Sequence, residues 1–342
     1  MQRADLPAIF HDGDQLYFAD TCEPLKQAAA RSEVALHAWG RALYPGLPLP
    51  AERLPEVRSV GVWDAASAPA WGLARHCNEG IEFMFLARGA TAFEVDGRRW
   101  TLRKGQLTIT RPWQFHAVGD PTIGASRLIW LILDVGVRRP NQTWRWPEWL
   151  LCTPDEVQRL TRLLSQNEQP VWQADEEIER WFVKLADLLE GTTDPGSAAS
   201  RLKLCINGLL LAVLEMFDRA RIPLDAYLSS SQRAVQLFLQ ALPAYADHDW
   251  DLGAMAAQCG LSRTQFSAYC KELTGLTPLQ YLMRCRVEQA ARLLTLHPEM
   301  SITEIALACG FNSSQYFATV FRTQHGCTPS AYSAQQGHQS PA

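Results

Sequence analysis

Two sets of side chains, about fifty residues apart, carry the same chemistry. Arg263, Thr264, Gln265, Ser267, Ala268 and Lys271 form one, and Ser314, Gln315, Ala318, Thr319 and Arg322 the other. Guanidinium and carboxamide groups make paired hydrogen bonds to planar partners, so Arg263 suits a guanine edge and Gln315 an adenine edge. Ala268 and Ala318 are small enough to meet a thymine methyl group. Lys271 and Arg322 have the charge and reach of phosphate clamps. Any one of these residues also belongs on an ordinary solvated helix face. The recurrence of the set is what singles it out.

The elements that position these groups are read from the same repeat. Leu252, Met255, Ala256, Cys259, Gly260 and Leu261 match Ile302, Ile305, Ala306, Cys309, Gly310 and Phe311 at an offset of 50. Phe266, Lys271, Gly275, Thr277, Pro278 and Tyr281 match Phe317, Arg322, Gly326, Thr328, Pro329 and Tyr332 at an offset of 51. Such a repeat is one supersecondary unit used twice. In each copy an apolar helical stripe ends at a glycine suited to a left-handed C-cap, and a second helix follows. Ser301 with Glu304, and Ser262 with Gln265, are capping boxes; Asp251 caps the first helix of the first copy. Asn312 or Ser313 caps the second helix of the second copy. Thr277-Pro278 and Thr328-Pro329 each open a further helix as N-cap and first helical residue. With Phe266, Cys270 and Leu273 inward in one helix and Phe317, Val320 and Phe321 inward in the other, the two reading sets face out. Between the copies, Pro278 to Leu296 predicts a helix of about 28 Å at ~1.5 Å per residue. That length can space two reading heads by roughly one DNA turn, ~34 Å. An all-helical scaffold would need none of this phasing.

The stretch ALACGFNSSQYFATVFRTQHGCTPSAY resembles, almost position by position, the second helix-turn-helix and tail of AraC/XylS-type transcription regulators. LGAMAAQCGLSRTQFSAYCKELTGLTPLQYLMRCRVEQAARLL is similar to the first unit and linking helix of that family. The likeness covers about 231–334. It implies a seven-helix DNA-binding domain whose reading helices enter adjacent major-groove segments on one face. Residues 231–342 carry seven Lys/Arg (233, 263, 271, 284, 286, 292, 322) against seven Asp/Glu (247, 249, 251, 272, 288, 299, 304), a net of zero. Modest non-specific affinity and a shallow salt slope are therefore expected.

Upstream the pattern changes twice. Roughly 57–135 is strand-rich: Ile81–Ala87, Thr91–Val95, Arg98–Leu102, Leu107–Thr110 and Arg127–Leu133 are separated by Gly89, Asp96-Gly97, Gly105 and Pro112. Asp96-Gly97 is a hairpin signal, and short strands so spaced predict a small barrel or jelly roll. From Thr153 to Arg221 the periodicity predicts helices near 154–166, 174–190 and 198–220. The last has Leu202, Cys205, Ile206, Leu209, Leu210, Val213, Leu214 and Phe217 on one broad face. Such a face suits packing on the barrel or on a second subunit.

ARHCNEGIEFMFLARGATAFEVDGRRWTLRKGQLTITRPWQFHAVG is laid out like the two half-motifs of a cupin, the effector-domain fold of many AraC-type regulators. Metal-binding cupins carry His-x-His, a Glu and a later His. Here His76, Glu82 and His116 fill three of those places and Asn78 stands at the second His. Three such ligands plus solvent could still hold a divalent metal, but with the set broken no metal or other cofactor is expected. The two histidines would instead line a pocket or hydrogen-bond the barrel. The barrel mouth is the default ligand pocket, with Arg75, His76, Glu82, His116 and Trp113 as candidate effector contacts. Trp63, Trp71, Trp100 and Trp130 also lie in or beside the segment, either to stack on a sugar ring or to fill the core.

At 342 residues and a net charge of −4, the chain is expected to hold two or three domains and not to coat nucleic acid or a membrane surface. Nine cysteines without a Cys-x-x-Cys pair read as reduced thiols of a cytosol. Met1 to Asp20 lacks a signal-peptide pattern, and the apolar stretch Ile206 to Leu214 is too short to span a bilayer. The expected architecture is a cupin-like effector domain (1–150), a helical dimerisation or packing segment (151–221), a linker (222–230) and an all-α double helix-turn-helix domain (231–336). The expected role is a cytoplasmic, homodimeric, sequence-specific DNA-binding transcription regulator without catalysis, answering to a sugar or related metabolite. Its expected partners are double-stranded DNA, the effector and RNA polymerase. The competing class is a cupin-type metal-dependent enzyme with a helical appendage.

Overall fold

The computed structural model describes residues 8–337 apart from 14, 51, 69 and 221. The chain divides into two compact units, Met1–Leu228 and Ser229–Ala342.

The first unit opens with a hairpin of β1 (Ala8–Asp12) and β2 (Gln15–Ala19), then helix α1 (Glu23–Ala30). Strands β3 (Ala35–Gly40), β4 (Leu47–Pro48), β5 (Val57–Ala65), β6 (Leu73–His76), β7 (Ile81–Val95), β8 (Arg98–Arg103), β9 (Gln106–Thr110), β10 (His116–Val118) and β11 (Ser126–Leu133) follow. Helix α2 (Pro154–Gln166), strand β12 (Val171–Gln173) and helices α3 (Glu176–Glu190) and α4 (Ala199–Arg219) complete it. The main sheet runs β12-β9-β7-β11-β5-β3-β4, with β8 and β10 on β7 and β6 on β10. The first hairpin, α1 and β3 were not anticipated from the sequence.

Strand β7 differs from expectation in an instructive way. Two strands broken at Gly89 were predicted, but one strand of 15 residues forms. Gly89 adopts φ +83°, and the register against β11 shifts beside it, between Arg127 and Leu128. A bulge of this kind bends a strand without ending it. The near half of β7 pairs with β9 and β11 and the far half with β8 and β10. Any side chain at Gly89 would strike the Ala125 carbonyl, 2.0 Å from an added Cβ. The Asp96-Gly97 turn behaves as predicted, with φ +49° and +75° and Val95 opposite Arg98.

Side chains alternate across β7. Ile81, Phe83 and Phe85 face a core shared with α2, α3 and α4, while Met84 and Leu86 face the interior of the barrel. Glu82 falls on the interior face by the same period of two. The apolar face of α4 is buried within this unit, so burial in the protomer consumes the stripe that also suited a second subunit. No helix among the described residues is long and apolar enough to cross a membrane.

The second unit contains α5 (Ser231–Ala241), α6 (Leu252–Gln258), α7 (Arg263–Thr274), α8 (Pro278–Leu296), α9 (Ile302–Ala308), α10 (Ser314–His325) and α11 (Pro329–Gly337). The anticipated caps form. Asp251 accepts from the Ala254 amide, and capping boxes close at Ser262, Thr277 and Ser301. Ser313, the second of the two residues offered, caps α10. Gly260 and Gly310 hold left-handed backbone at φ +63° and +78°, which turns each first helix into its second.

Candidate nucleic-acid interface and effector site

Helices α7 and α10 are the second helices of the two repeats. Phe266 and Cys270 bury one face of α7, and Phe317 and Phe321 one face of α10. Arg263, Thr264, Gln265, Ala268 and Lys271 are exposed on α7, and Ser267 is half-buried. On α10, Gln315, Thr319 and Arg322 are exposed, and Ser314 and Ala318 are half-buried. Both sets therefore stand on outward faces of well-capped helices.

Individual side chains differ in readiness. Gln265 accepts hydrogen bonds through Oε1 from the Ser262 amide and hydroxyl, at 3.3 and 3.0 Å, which leaves its NH2 as the free end. The Arg263 guanidinium leans back over α6, so that a Cβ on Gly253 would sit 2.8 Å from its Nη2. Thr319 donates its hydroxyl proton to the Gln315 carbonyl at 3.0 Å, keeping its lone pairs outward. Tyr316, 55% exposed beside Gln315, was missed; an aromatic next to buried Phe317 reads in sequence as more core.

In the barrel, His76, Glu82 and His116 come together with Asn78. His116 Nε2 lies 2.8 Å from Glu82 Oε2, and Asn78 Nδ2 donates to the same oxygen at 3.0 Å. The two imidazoles are 4.3 Å apart between centroids, as His76 and His116 are register partners on β6 and β10. His116 Nδ1 meets the Gln114 carbonyl at 2.9 Å. Its two nitrogens thus face a carbonyl and a carboxylate, a setting for imidazolium with two N–H donors. Burial opposes that charge, but the adjacent Glu82 carboxylate outweighs it and holds His116 above its ordinary pKa. Burial likewise pushes Glu82 upward, and His116 and then His76 and Asn78 bring it below the ordinary carboxylate value. For His76, burial and the charge of His116 act together to lower the pKa. His76 Nδ1 donates to the Ala74 carbonyl at 2.7 Å, making its Nε2 an acceptor. The buried Oδ1 of Asn78 has no protein partner.

Trp113 braces this group from the backbone. Its amide donates to the Asn78 carbonyl at 2.7 Å and its indole to the Val137 carbonyl at 2.7 Å. Arg75 stands apart: it is exposed, its guanidinium 3.9 Å from the Phe115 ring centroid. Trp63 and Trp130 are core residues, 2% and 5% exposed. Sequence reasoning missed Glu79, fully buried and ion-paired to Arg58 at 2.6 Å, with Tyr44 donating to its other oxygen. Tyr44 and Arg58 lie 35 and 21 residues from Glu79, so no local pattern announces them.

The donor chemistry does not suit a metal. Asn78 replaces an imidazole, and Glu82 Oε2 already accepts from Asn78 while lying 2.8 Å from His116 Nε2. Among the described residues, no group of three or more His, Cys, Asp or Glu is arranged to hold an ion.

Comparison with known proteins follows the same division. A family model described as an AraC-like ligand binding domain matches residues 64–205, and one described as a helix-turn-helix domain matches residues 255–335. The HTH-type transcriptional activator RhaS of Escherichia coli O81 (strain ED1a) is 34% identical over 192 residues, 53% of this chain and 66% of that protein. RhaS of Escherichia coli (strain SE11) is 37% identical over 152 residues, 44% of this chain and 51% of that protein. The matches thus span between about half and two thirds of those relatives' length. Among solved structures, the DNA-binding domain of AdpA with a target DNA is 34% identical at a TM-score of 0.30, over 31% of this chain and 96% of that one. Fatty-acid-bound ToxT from Vibrio cholerae strain SCE256 is 14% identical at a TM-score of 0.32, over 83% and 97%.

Proposed function

The chain belongs to the AraC/XylS-type regulators, and from that premise we propose that it is a cytoplasmic, sequence-specific transcription regulator and not an enzyme. Residues 1–221 would sense a small-molecule effector, 222–230 would link, and 231–336 would read DNA. The observation that carries the reading is the pair of capped helices presenting outward sets at Arg263–Lys271 and Ser314–Arg322. Their partners are double-stranded DNA and, at the promoter, RNA polymerase; the working form is a homodimer.

The barrel cluster indicates the kind of effector. His76 Nε2 and Asn78 Oδ1 are acceptors, and Glu82 is an ionised carboxylate. A ligand that donates several hydrogen bonds, as a sugar or other polyol does, complements them. A physical link then leads from this site toward the end of the first unit. Arg111 shares with Trp113 the loop that leads into His116 at the start of β10, and its Nη1 donates to the Asn167 carbonyl at 2.6 Å. Asn167 bridges Leu224, and the Asp225 amide donates to Gln166 at 2.8 Å. Effector binding that moves this loop would shift the population of arrangements open to the linker.

The test is selection of genomic DNA fragments by the purified full-length protein at two salt concentrations. Two reading boxes about one turn apart are expected. No enrichment at either salt, with and without a panel of sugars, would overturn the reading.

A further inference from the structure

The second unit has two apolar cores, one for each repeat. Helix α8 feeds both: Leu282 and Cys285 enter the first, and Val287, Ala290, Ala291 and Leu294 the second. Arg286 stands at the changeover. At 8% exposure it is the one buried charged side chain among the described residues of this unit. Its Nε donates to the Ala246 carbonyl at 2.7 Å and its Nη2 to the His248 carbonyl at 2.8 Å. These carbonyls lie in the loop leading to Asp251, the N-cap of α6, and so belong to the first repeat.

The turn of the second repeat meets the same loop. A Cβ on Gly310 would lie 2.7 Å from the Asp247 carbonyl oxygen and 3.0 Å from Arg286 Nη2. The guanidinium is therefore packed where the two halves touch. Burial works against its charge, and Asp249 and Asp247 work for it. Apolar packing is non-directional, so two separate cores joined by one helix leave the angle between the halves weakly specified. A planar guanidinium bonded to two carbonyls is directional and restores that specification.

We propose that Arg286 is a positioning residue that sets the angle between α7 and α10, and thereby the spacing between DNA boxes that the protein accepts. This rests on the DNA-reading function proposed above. One inserted base pair rotates the second box by about 35° and moves it by about 3.4 Å, so a stiff joint must discriminate spacing and a loose one cannot.

The experiment uses the full chain and duplexes holding the two selected boxes with spacers of one base pair fewer, the native length, and one and two base pairs more. A duplex with a single box is the control. The native protein should lose about tenfold in affinity at each wrong spacing. Arg286→Met should flatten that profile to within about threefold while single-box affinity changes by no more than about twofold. Arg286→Lys, which keeps the charge but loses the fork, should fall between them and decides the matter if the Met variant does not fold. Variants that keep the native spacing profile, whatever their overall affinity, overturn the proposal. If the native protein itself selects no paired boxes, the DNA-reading function fails first and this inference with it.

Discussion

Gln315 and Glu82 show how differently an exposed and a buried residue report on function. Gln315 is solvent-facing on a capped helix, so its replacement tests recognition with little effect on the fold. Gln315→Ala is expected to weaken binding to the best site by ~1–3 kcal/mol and to relax preference at one or two base positions. Equal weakening on every sequence, in competition binding, would make it a backbone contact instead. Glu82 is bound up with stability. The raised pKa of His116 means its contribution is full below the ordinary value of 6.5 and fades as pH climbs through the raised one. The depressed pKa of Glu82 means its contribution is full above 4.5 and fades as pH falls through the lowered one. The difference in thermal unfolding between native protein and Glu82→Gln should therefore be widest from pH 5 to 6.5 and shrink toward pH 9. A gap that grows with rising pH would mean the pair is not ionised. His76 also feels the Glu82 charge, which works against the lowering by burial and His116, so its titration enters the same difference.

Matched glycines separate conformational strain from crowding at the scale of the helices. Gly310 and Gly326 hold nearly equal backbone, φ +78° and +74°. Around Gly326 nothing lies within 4 Å of an added Cβ, whereas at Gly310 the Asp247 backbone does. Gly326→Ala should cost about 1–2 kcal/mol from left-handed strain alone. Gly310→Ala should cost more in urea unfolding, because the loop must also move. Equal costs would show that the 246–248 loop yields freely. The helix-turn-helix elements were legible because caps, turn glycines and apolar stripes are local signals. Strand β7 was not: Gly89 reads as a break, and only the pairing of Ser126 with it shows a bent strand carried through. The first hairpin and α1 were missed for a related reason, since Phe10 and Leu25 find their partners in the distant barrel core.

The two units of the whole molecule each have cores of their own. Residues 229–342 expressed alone are thus expected to fold and to bind the selected DNA, because both outward helices lie within them. A fragment that is helical by circular dichroism yet inert toward DNA would show that the sensor or a second copy is required. For coupling, Arg111→Met should preserve effector binding and DNA binding separately while abolishing the effector's influence on DNA affinity. An unchanged influence would rule out the Arg111–Asn167 link. The sequence by itself determined the reading heads, their caps and their outward residues, because helix periodicity and capping act within a few residues. It also marked His76, Glu82 and His116 as candidates. Only the tertiary structure decided that Arg75 is exposed, that Asn78 and His116 both face one oxygen of Glu82, that α4 spends its apolar face within its own unit, and that Arg286 is buried where the loop before α6 meets the turn at Gly310. Those outcomes depend on contacts between residues tens of positions apart, which hydrophobic pattern permits in many pairings and packing resolves into one.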